Sequence, residues 1–475
     1  MTENLKNAYC VFQNMQRLKQ LWRCSTKEIE KTCQDDLKIC LIHAIEKVPY
    51  YRKILEKADR KKLEENPLEF LREMPLLTKK IAKAQFPDQL VAEGNDWEHF
   101  YSVATSGTTD RVMIFEDEAR RNWDRAADLL LQRQGNRFYP GQRSLSFPPD
   151  ACYEHCGADG RMLVYSVKDR FRQWRKAAPE DRRKAKRELR SKIMSEYFWR
   201  SRRLPSLGVD GTAASDEVLE SYCDELKNWK PSILTGLPAT LYVLALYAIR
   251  HQYSFPSVRI IRPNGAKFSH VMIEVVEKAF GARVRENYGS AELSTTAFDC
   301  ERSRDQHLLG IHFLECLRRG RPVEPGDVGE LVITDLRNRV TPLIRYTLGD
   351  VGRVCSGRCS CGFAGTRFIV DGRMEETIVT PAGKAIPGMQ LVDLFLRCKA
   401  IDHAKIFQKN DDHFLVEAVS SPGADQESVN MEEALSDLLD HRVRLDLRWV
   451  RRIAPERNGK YRLVVSSSYQ RFHNN

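Results

Sequence analysis

Five short stretches carry the residue types that handle phosphate, metal and nucleoside chemistry. The first is "VATSGTTDRVMIF", Val103–Phe115, where Thr105, Ser106, Gly107, Thr108 and Thr109 sit between two strand-like apolar runs and are followed by Asp110. Hydroxyls and backbone N–H groups in such a turn can converge on phosphate oxygens. No Gly-Lys-Ser/Thr follows, so the turn is not a Walker loop. The second, "NYGSAEL" (Asn287–Leu293), puts an aromatic residue, a Gly-Ser loop and Glu292 after a strand. A carboxylate beside a phosphate loop is what Mg²⁺ requires. The third, "PLIRYTLGD" (Pro342–Asp350), ends a strand with Arg345 and Asp350, and such an Asp can accept from ribose hydroxyls. The fourth, "DGRMEE" (Asp371–Glu376), carries Arg373, and the fifth, "RNGKYRLVV" (Arg457–Val465), presents Lys460 from a Gly-containing turn. Each alone reads equally well as an ordinary loop or surface turn. Their order and spacing together are the evidence.

The elements that must position these residues are readable as patterns. Residues 1–95 read as helices. Ser25 with Glu28 forms a capping box, and Ile29, Cys33, Leu37, Cys40, Leu41 and Ala44 keep helical spacing. The middle of the chain alternates. "KPSILTGLPATLYVLALYAIRHQ" is a strand, a Gly-Leu-Pro turn and an apolar helix, and "SVRIIRPNGAKFSHVMIEVVEKAFGARVRENYGSAEL" is strand, loop, helix, strand, loop. That alternation predicts an α/β fold with ligands at the carboxyl ends of strands. "GDVGELVITDL" and "PLIRYTLGDVGRVC" predict paired strands with a turn at Glu324–Asp327. After "VDGRMEETIVTPAGKAIPG" the chain reads β-α-β over about 100 residues, enough for a small α+β domain. The boundary falls at Asp371–Arg373, giving domains 1–371 and 372–475.

Bulk properties narrow the class. The chain has 475 residues, 42% apolar and 30% charged, with a net charge of +11. It lacks an apolar run of about 18 residues, so a spanning helix is not expected. The N-terminus is too polar for a signal peptide, so the protein is expected in the cytoplasm. Much of the excess positive charge lies in Asp169–Arg203. That run reads as a solvated helical face, or as a landing surface for a phosphorylated cosubstrate or an acidic carrier. Nucleic acid is not expected, because no stacking or helix-turn-helix signature accompanies the charge.

In order, "TSGTTD", "NYGSAEL", "RYTLGD", "DGRMEE" and "NGK" resemble the core motifs of the adenylate-forming (acyl-CoA synthetase, adenylation-domain) superfamily. "ILTGLPATLYVLA", "GELVITDLRNRVTPLIRYTLGD" and "CSCG" are similar to the phenylacetate–CoA ligase-like branch, which includes relatives associated with capsular polysaccharide genes. The resemblance runs from about residue 100 to residue 465. It implies a large N-terminal α/β adenylation domain, helical at its start, and a small mobile C-terminal α+β domain carrying the catalytic Lys460. It also implies that Thr105–Thr109 hold the ATP phosphates, and that Gly265, Ala266, Lys267, Tyr288, Gly289 and Ser290 bound the nucleotide. Glu292 would hold Mg²⁺, Asp350 the ribose and Arg373 the nucleotide near the hinge, with Glu375 or Glu376 as the pivot. Thr235, Gly236, Leu237 and Pro238 would line the acyl pocket. Three positions depart from the family pattern: Asp110 stands where Gly is usual, Thr347-Leu348 where a basic residue is usual, and Glu375-Glu376 where Asp is usual.

The implied reaction joins a carboxylic acid to AMP from ATP, then passes the acyl group to coenzyme A. A carrier-protein thiol or an amine, in polysaccharide or natural-product assembly, is an alternative acceptor. Adenylyl transfer to an acceptor, as in coenzyme F390 synthetases, is a third reading. A homodimer is compatible with the sequence. Of thirteen cysteines, only Cys355, Cys359 and Cys361 form a dense group. Cys300 and His307, followed about 50 residues later by Cys359 and Cys361, make a three-thiolate, one-imidazole set suited to structural Zn²⁺, and the spacing resembles a zinc site of some phenylacetate–CoA ligase-like proteins. Cys355 or His312 could replace one ligand.

Overall fold

A computed structural model describes residues 3–56, 59–94, 100–104, 112–131, 142–147, 200–204, 215–421, 431–451 and 463–466, with isolated positions between 171 and 189 and residues 423 and 453. The chain divides into two compact units. One is Met1–Arg137, Glu286–Gly388 and Ser466–Asn475; the other is Phe138–Arg285 and Met389–Val465.

The first unit opens on helices, among them Glu3–Leu21, Thr26–Lys47 and Pro67–Glu73. Ser25 caps the second of these through the expected box. Its N–H donates to Glu28 Oε2 at 2.8 Å, and its Oγ accepts from the Glu28 N–H at 3.4 Å. Leu37, Cys40, Leu41 and Ala44 are buried, as their spacing predicts. One segment departs from the helical reading. Leu77–Thr78 is a short strand paired in parallel with Tyr346 and Thr347.

The helices pack on a nine-stranded sheet. Eight of its strands run in the order Arg321–Pro322, His312–Arg318, Gly329–Asp335, Tyr346–Cys355, Arg367–Arg373, Gln306–Leu308, Ser294–Phe298, Asn287–Ser290, and Leu77–Thr78 is the ninth, paired off this path with Tyr346–Cys355. Gly329–Asp335 and Tyr346–Cys355 pair antiparallel as expected. The turn at Glu324–Asp327 forms, with the Asp327 N–H on Glu324 O at 3.0 Å, but it leads into the first of these strands. Residues 336–345 join the two.

Two further expectations are corrected. "NYGS" is a strand rather than a loop: Asn287–Ser290 folds back antiparallel on Ser294–Phe298, and only residues 291–293 form the turn. Gly289 is required there, because a Cβ on it would stand 2.0 Å from Ser294 O. Arg345 and Asp350 do not end a strand. Arg345 precedes the strand with φ 51°, and Asp350 lies in its middle.

The second unit contains a five-stranded parallel sheet ordered Ser201–Arg203, Ser144–Phe147, Ile233–Gly236, Ile260–Pro263, Arg283–Val284. The helices Pro238–Arg250 and His270–Phe280 follow two of these strands. The C-terminal part is β-β-α-β rather than β-α-β. The stretch read as one strand is a hairpin, Ile401–Gln408 and His413–Ser420, turned at Asn410–Asp412. The described residues are therefore α/β, with a small α+β portion at the C-terminal end. Among them no helix is long and apolar enough to cross a membrane.

Candidate active site

In the first unit the sheet curls far enough for its Asn287–Ser290 edge to meet the strand Tyr346–Cys355, although three strands separate them in the sheet order. Two tyrosine–carboxylate bonds join them in opposite directions. Tyr288 on the hairpin donates its O–H to Asp350 Oδ2 at 2.8 Å, and Tyr346 on the strand donates to Glu292 Oε1 at 3.0 Å. Within each segment the two partners are four residues apart.

Glu292 sits in the hairpin turn and is 2% exposed. Its Oε1 is bonded to Tyr346, but its Oε2 is buried with no hydrogen-bond partner among the described residues. A buried carboxylate oxygen left without a donor is costly unless a cation or ligand completes it. That is the chemistry a Mg²⁺ ion supplies. Burial pushes the Tyr346 hydroxyl up and the Glu292 charge pushes it further, so it stays a donor.

Asp350 pairs through Oδ1 with Arg373 Nη1 at 2.9 Å, across the register that sets the two residues opposite each other. Arg373 also donates to Leu348 O at 3.0 Å. Asp350 holds the guanidinium more firmly charged than usual, and burial together with the same carboxylate holds the Tyr288 phenol protonated. Each Asp350 oxygen keeps a lone pair beyond the bond described, so further hydroxyl donors can be accepted. Tyr288, Gly289, Ser290, Glu292, Asp350 and Arg373 thus lie on adjoining segments of one unit.

Thr235, Gly236, Leu237, Pro238, Gly265, Ala266 and Lys267 belong to the second unit. Both groups lie at the carboxyl ends of adjacent parallel strands. The Asn264 N–H donates to Gly236 O at 2.8 Å and ties the two loops together. Pro238 occupies the first turn of its helix, and Gly265 takes φ +73°, which favours glycine. Ligands of parallel α/β sheets bind at such strand ends. Thr105–Thr109, Asp110 and Lys460 lie outside the described residues, and most of 169–203 does too.

Similarity to known proteins follows the same architecture. A 2-hydroxyisobutyryl-CoA ligase in the postadenylation state, in complex with its acyl-AMP, superposes with a TM-score of 0.70 over 94% of this chain and 92% of that one, at 17% identity. The open conformation of that ligase with acyl-AMP and CoA gives 0.58 over 94% of both chains, also at 17% identity. The chain has the adenylate-forming ligase fold. Residues 378–467 match the CapK C-terminal domain family. Protein CapK of Staphylococcus aureus is 27% identical over 162 residues, 34% of this chain and 35% of that one. Phenylacetate-coenzyme A ligase of Thermus thermophilus is 23% identical over 216 residues, 43% of this chain and 48% of that one. The chain therefore matches less than half the length of each curated relative. These similarities bear out the resemblance to the phenylacetate–CoA ligase-like branch of the adenylate-forming superfamily.

The adenylate-forming fold here carries a second cluster. Cys300, His307, Cys359 and Cys361 bring their ligand atoms within 4.8 Å of one another. Cys300 Sγ is 3.6 Å from Cys359 Sγ, and Cys361 Sγ is 3.4 Å from His307 Nε2. Tetrahedral Zn²⁺ bonds would set two sulfurs about 3.8 Å apart and sulfur and nitrogen about 3.5 Å apart. His307 Nδ1 lies 2.9 Å from Asp305 O, which fixes the ring with Nε2 toward the sulfurs. The Arg302 and Cys361 N–H groups donate to the Cys300 and Cys359 sulfurs. Trp22 stacks on the His307 ring at 5.3 Å. Cys355 and His312 fall outside the cluster. His312 is buried beside Asp335 and Arg120, and burial pushes its pKa down to about 4.

The sequence reading passed over Tyr346, although it stands inside a quoted motif. Arg345, in the same motif, has a structural role. Arg345 is 4% exposed and forms a two-point ion pair with Glu315, with Nε–Oε2 at 3.0 Å and Nη2–Oε1 at 3.1 Å. It also donates to the Arg72 and Met74 carbonyls. It braces the helical region against the sheet.

Proposed function

We propose that the protein activates a carboxylic acid with ATP through an acyl-adenylate and passes the acyl group to a thiol, with coenzyme A as the favoured acceptor. The observation that carries this reading is the Glu292 carboxylate, held by Tyr346 with its second oxygen unpartnered among the described residues, on a hairpin that also delivers Tyr288 to Asp350 and Arg373. The fold supports it.

In the first step an oxygen of the acid attacks the α-phosphorus of ATP, the α–β bridging bond breaks and pyrophosphate leaves. Charge concentrates on the phosphoryl oxygens, so positioned cations lower the barrier. Glu292 would hold Mg²⁺, which supplies charge neutralisation when bound. Asp350 would accept from the ribose hydroxyls, oriented by Tyr288 and Arg373. Lys460 would bring its ammonium to the acid and the α-phosphate, and Thr105–Thr109 would hold the departing phosphates. Gly265–Lys267 and Tyr288-Gly289 would bound the base, Ser290 would also contact the nucleotide, and Thr235–Pro238 would line the acyl group. In the second step the thiol sulfur attacks the acyl carbon, AMP leaves and the thiol proton goes to solvent. The domain boundary would lie at Asp371–Arg373, with Glu375 or Glu376 as the pivot. Cys300, His307, Cys359 and Cys361 would hold a structural Zn²⁺.

A panel of carboxylic acids assayed for acid-dependent pyrophosphate release, then for acyl transfer to coenzyme A, a carrier phosphopantetheine or amines, tests the reading. AMP found covalently in the product instead would establish adenylyl transfer and contradict it.

A further inference from the structure

The turn that carries Glu292 is gripped from outside by one face of a single helix. Glu118–Leu130 follows directly on the strand Met113–Glu116, and Asp117 caps it by accepting from the Arg120 N–H at 2.7 Å. Arg120, Asp124 and Asp128 stand at i, i+4 and i+8, so they share a face. They meet three consecutive residues after Glu292. Arg120 Nη2 donates to Leu293 O at 3.1 Å. Asp124 accepts from the Ser294 side chain. Asp128 Oδ1 accepts from Thr295 Oγ1 at 2.7 Å.

Two facts show that this grip is specific. Ser294 has φ 56°, a left-handed conformation that disfavours a residue with a Cβ and needs outside support. Arg120 is 1% exposed, and its charge is matched by Asp124 and by Asp335, whose Oδ2 lies 2.9 Å from Arg120 Nε. Asp335 is anchored in turn by the Arg337 and Asn338 N–H groups at 2.8 and 3.2 Å. Simple burial would not demand three polar contacts to three successive positions. A carboxylate that has to present one oxygen in one direction does demand them.

We propose that Arg120, Asp124 and Asp128 are positioning residues that set the direction of the Glu292 carboxylate for a divalent cation bound with ATP. None of the three touches substrate; they act through the backbone of the turn. The inference rests on the metal role proposed for Glu292. The test is therefore a binding measurement that separates the two ideas.

Binding of Mn²⁺·ATP to the full chain, read by the electron paramagnetic resonance of the ion, is compared for wild type, Glu292→Gln, Arg120→Gln, Asp128→Ala and Thr295→Val. All are measured well below their unfolding temperatures. The expected result is weaker binding of Mn²⁺·ATP, by about tenfold or more for Glu292→Gln and Arg120→Gln and by a few-fold for Asp128→Ala and Thr295→Val. If Arg120→Gln fails to fold, Asp128→Ala and Thr295→Val carry the test, since each removes the Asp128–Thr295 bond and leaves Arg120 in place. Wild-type affinity in the helix variants with weakened binding in Glu292→Gln overturns the positioning role and leaves the metal role standing. Wild-type affinity in Glu292→Gln overturns the metal role and the inference with it.

Discussion

Tyr346 offers the smallest informative change in the site. Replacing it by Phe removes one O–H and leaves Glu292 Oε1 without its donor at 3.0 Å. A hydrogen bond to a charged group is worth about 1.5–3 kcal/mol. Tyr346→Phe should therefore slow acid-dependent pyrophosphate release by about 10- to 100-fold with the fold intact, and initial rates on purified protein check it. The buried titratable residues make a separate prediction about pH. Burial pushes His312 down to about 4 from an ordinary 6.5, so it stabilises the fold above 6.5 and loses that contribution as pH falls toward 4. Burial, with Asp350 adding to it, pushes Glu330 up to about 7 from 4.5. Its contribution is full below 4.5 and lost as pH rises toward 7, opposite in sign. Glu330→Gln should therefore make stability fall more steeply on acidification from pH 7 to 4.5, as read by urea unfolding at several pH values. A slope equal to that of wild type would contradict this.

Single elements show what the sequence makes legible. The Thr26–Lys47 helix, its capping box and its buried stripe were readable because all their determinants are local. The Cys300, His307, Cys359 and Cys361 set was readable from residue type and spacing, and the strands beside it are neighbours in the sheet: Gln306–Leu308, which bears His307, pairs with Arg367–Arg373, which follows the loop of Cys359 and Cys361. The strand Asn287–Ser290 reads as a loop from sequence because its glycine and serine look like turn residues. Its pairing requires Gly289 to approach Ser294 closely, which no local pattern reports. The Arg120 face was illegible for a similar reason, since its partners lie about 170 residues downstream. The structural role of Arg345 was illegible because its partner Glu315 is 30 residues away. Arg345→Ala would strand Glu315 as a buried unpaired carboxylate and should cost about 3–5 kcal/mol, checked by denaturant unfolding. At the cysteine cluster, elemental analysis should find about one zinc per chain in wild type and well under one in Cys361→Ser. Chelation should lower the unfolding temperature, because the ion would tie residues 300–307 to 359–361 beneath Trp22.

On the scale of the whole molecule, the α/β class, the paired strands and the small C-terminal portion follow from patterns that recur along the chain. The motif residues that the structure describes fall into one group on the first unit's sheet and hairpin and another at the strand ends of the second. The identity of the acid was not legible, because acyl-pocket specificity depends on shape rather than on residue type. Similarity over less than half the length of Protein CapK and of phenylacetate-coenzyme A ligase supports the branch and leaves the substrate to experiment. The most direct test is acid-dependent exchange of labelled pyrophosphate into ATP by the purified protein. The account predicts exchange with at least one carboxylic acid, abolished in Glu292→Gln and in Lys460→Ala. Exchange undiminished in both variants, or no exchange with any acid by a protein that binds ATP, would contradict it.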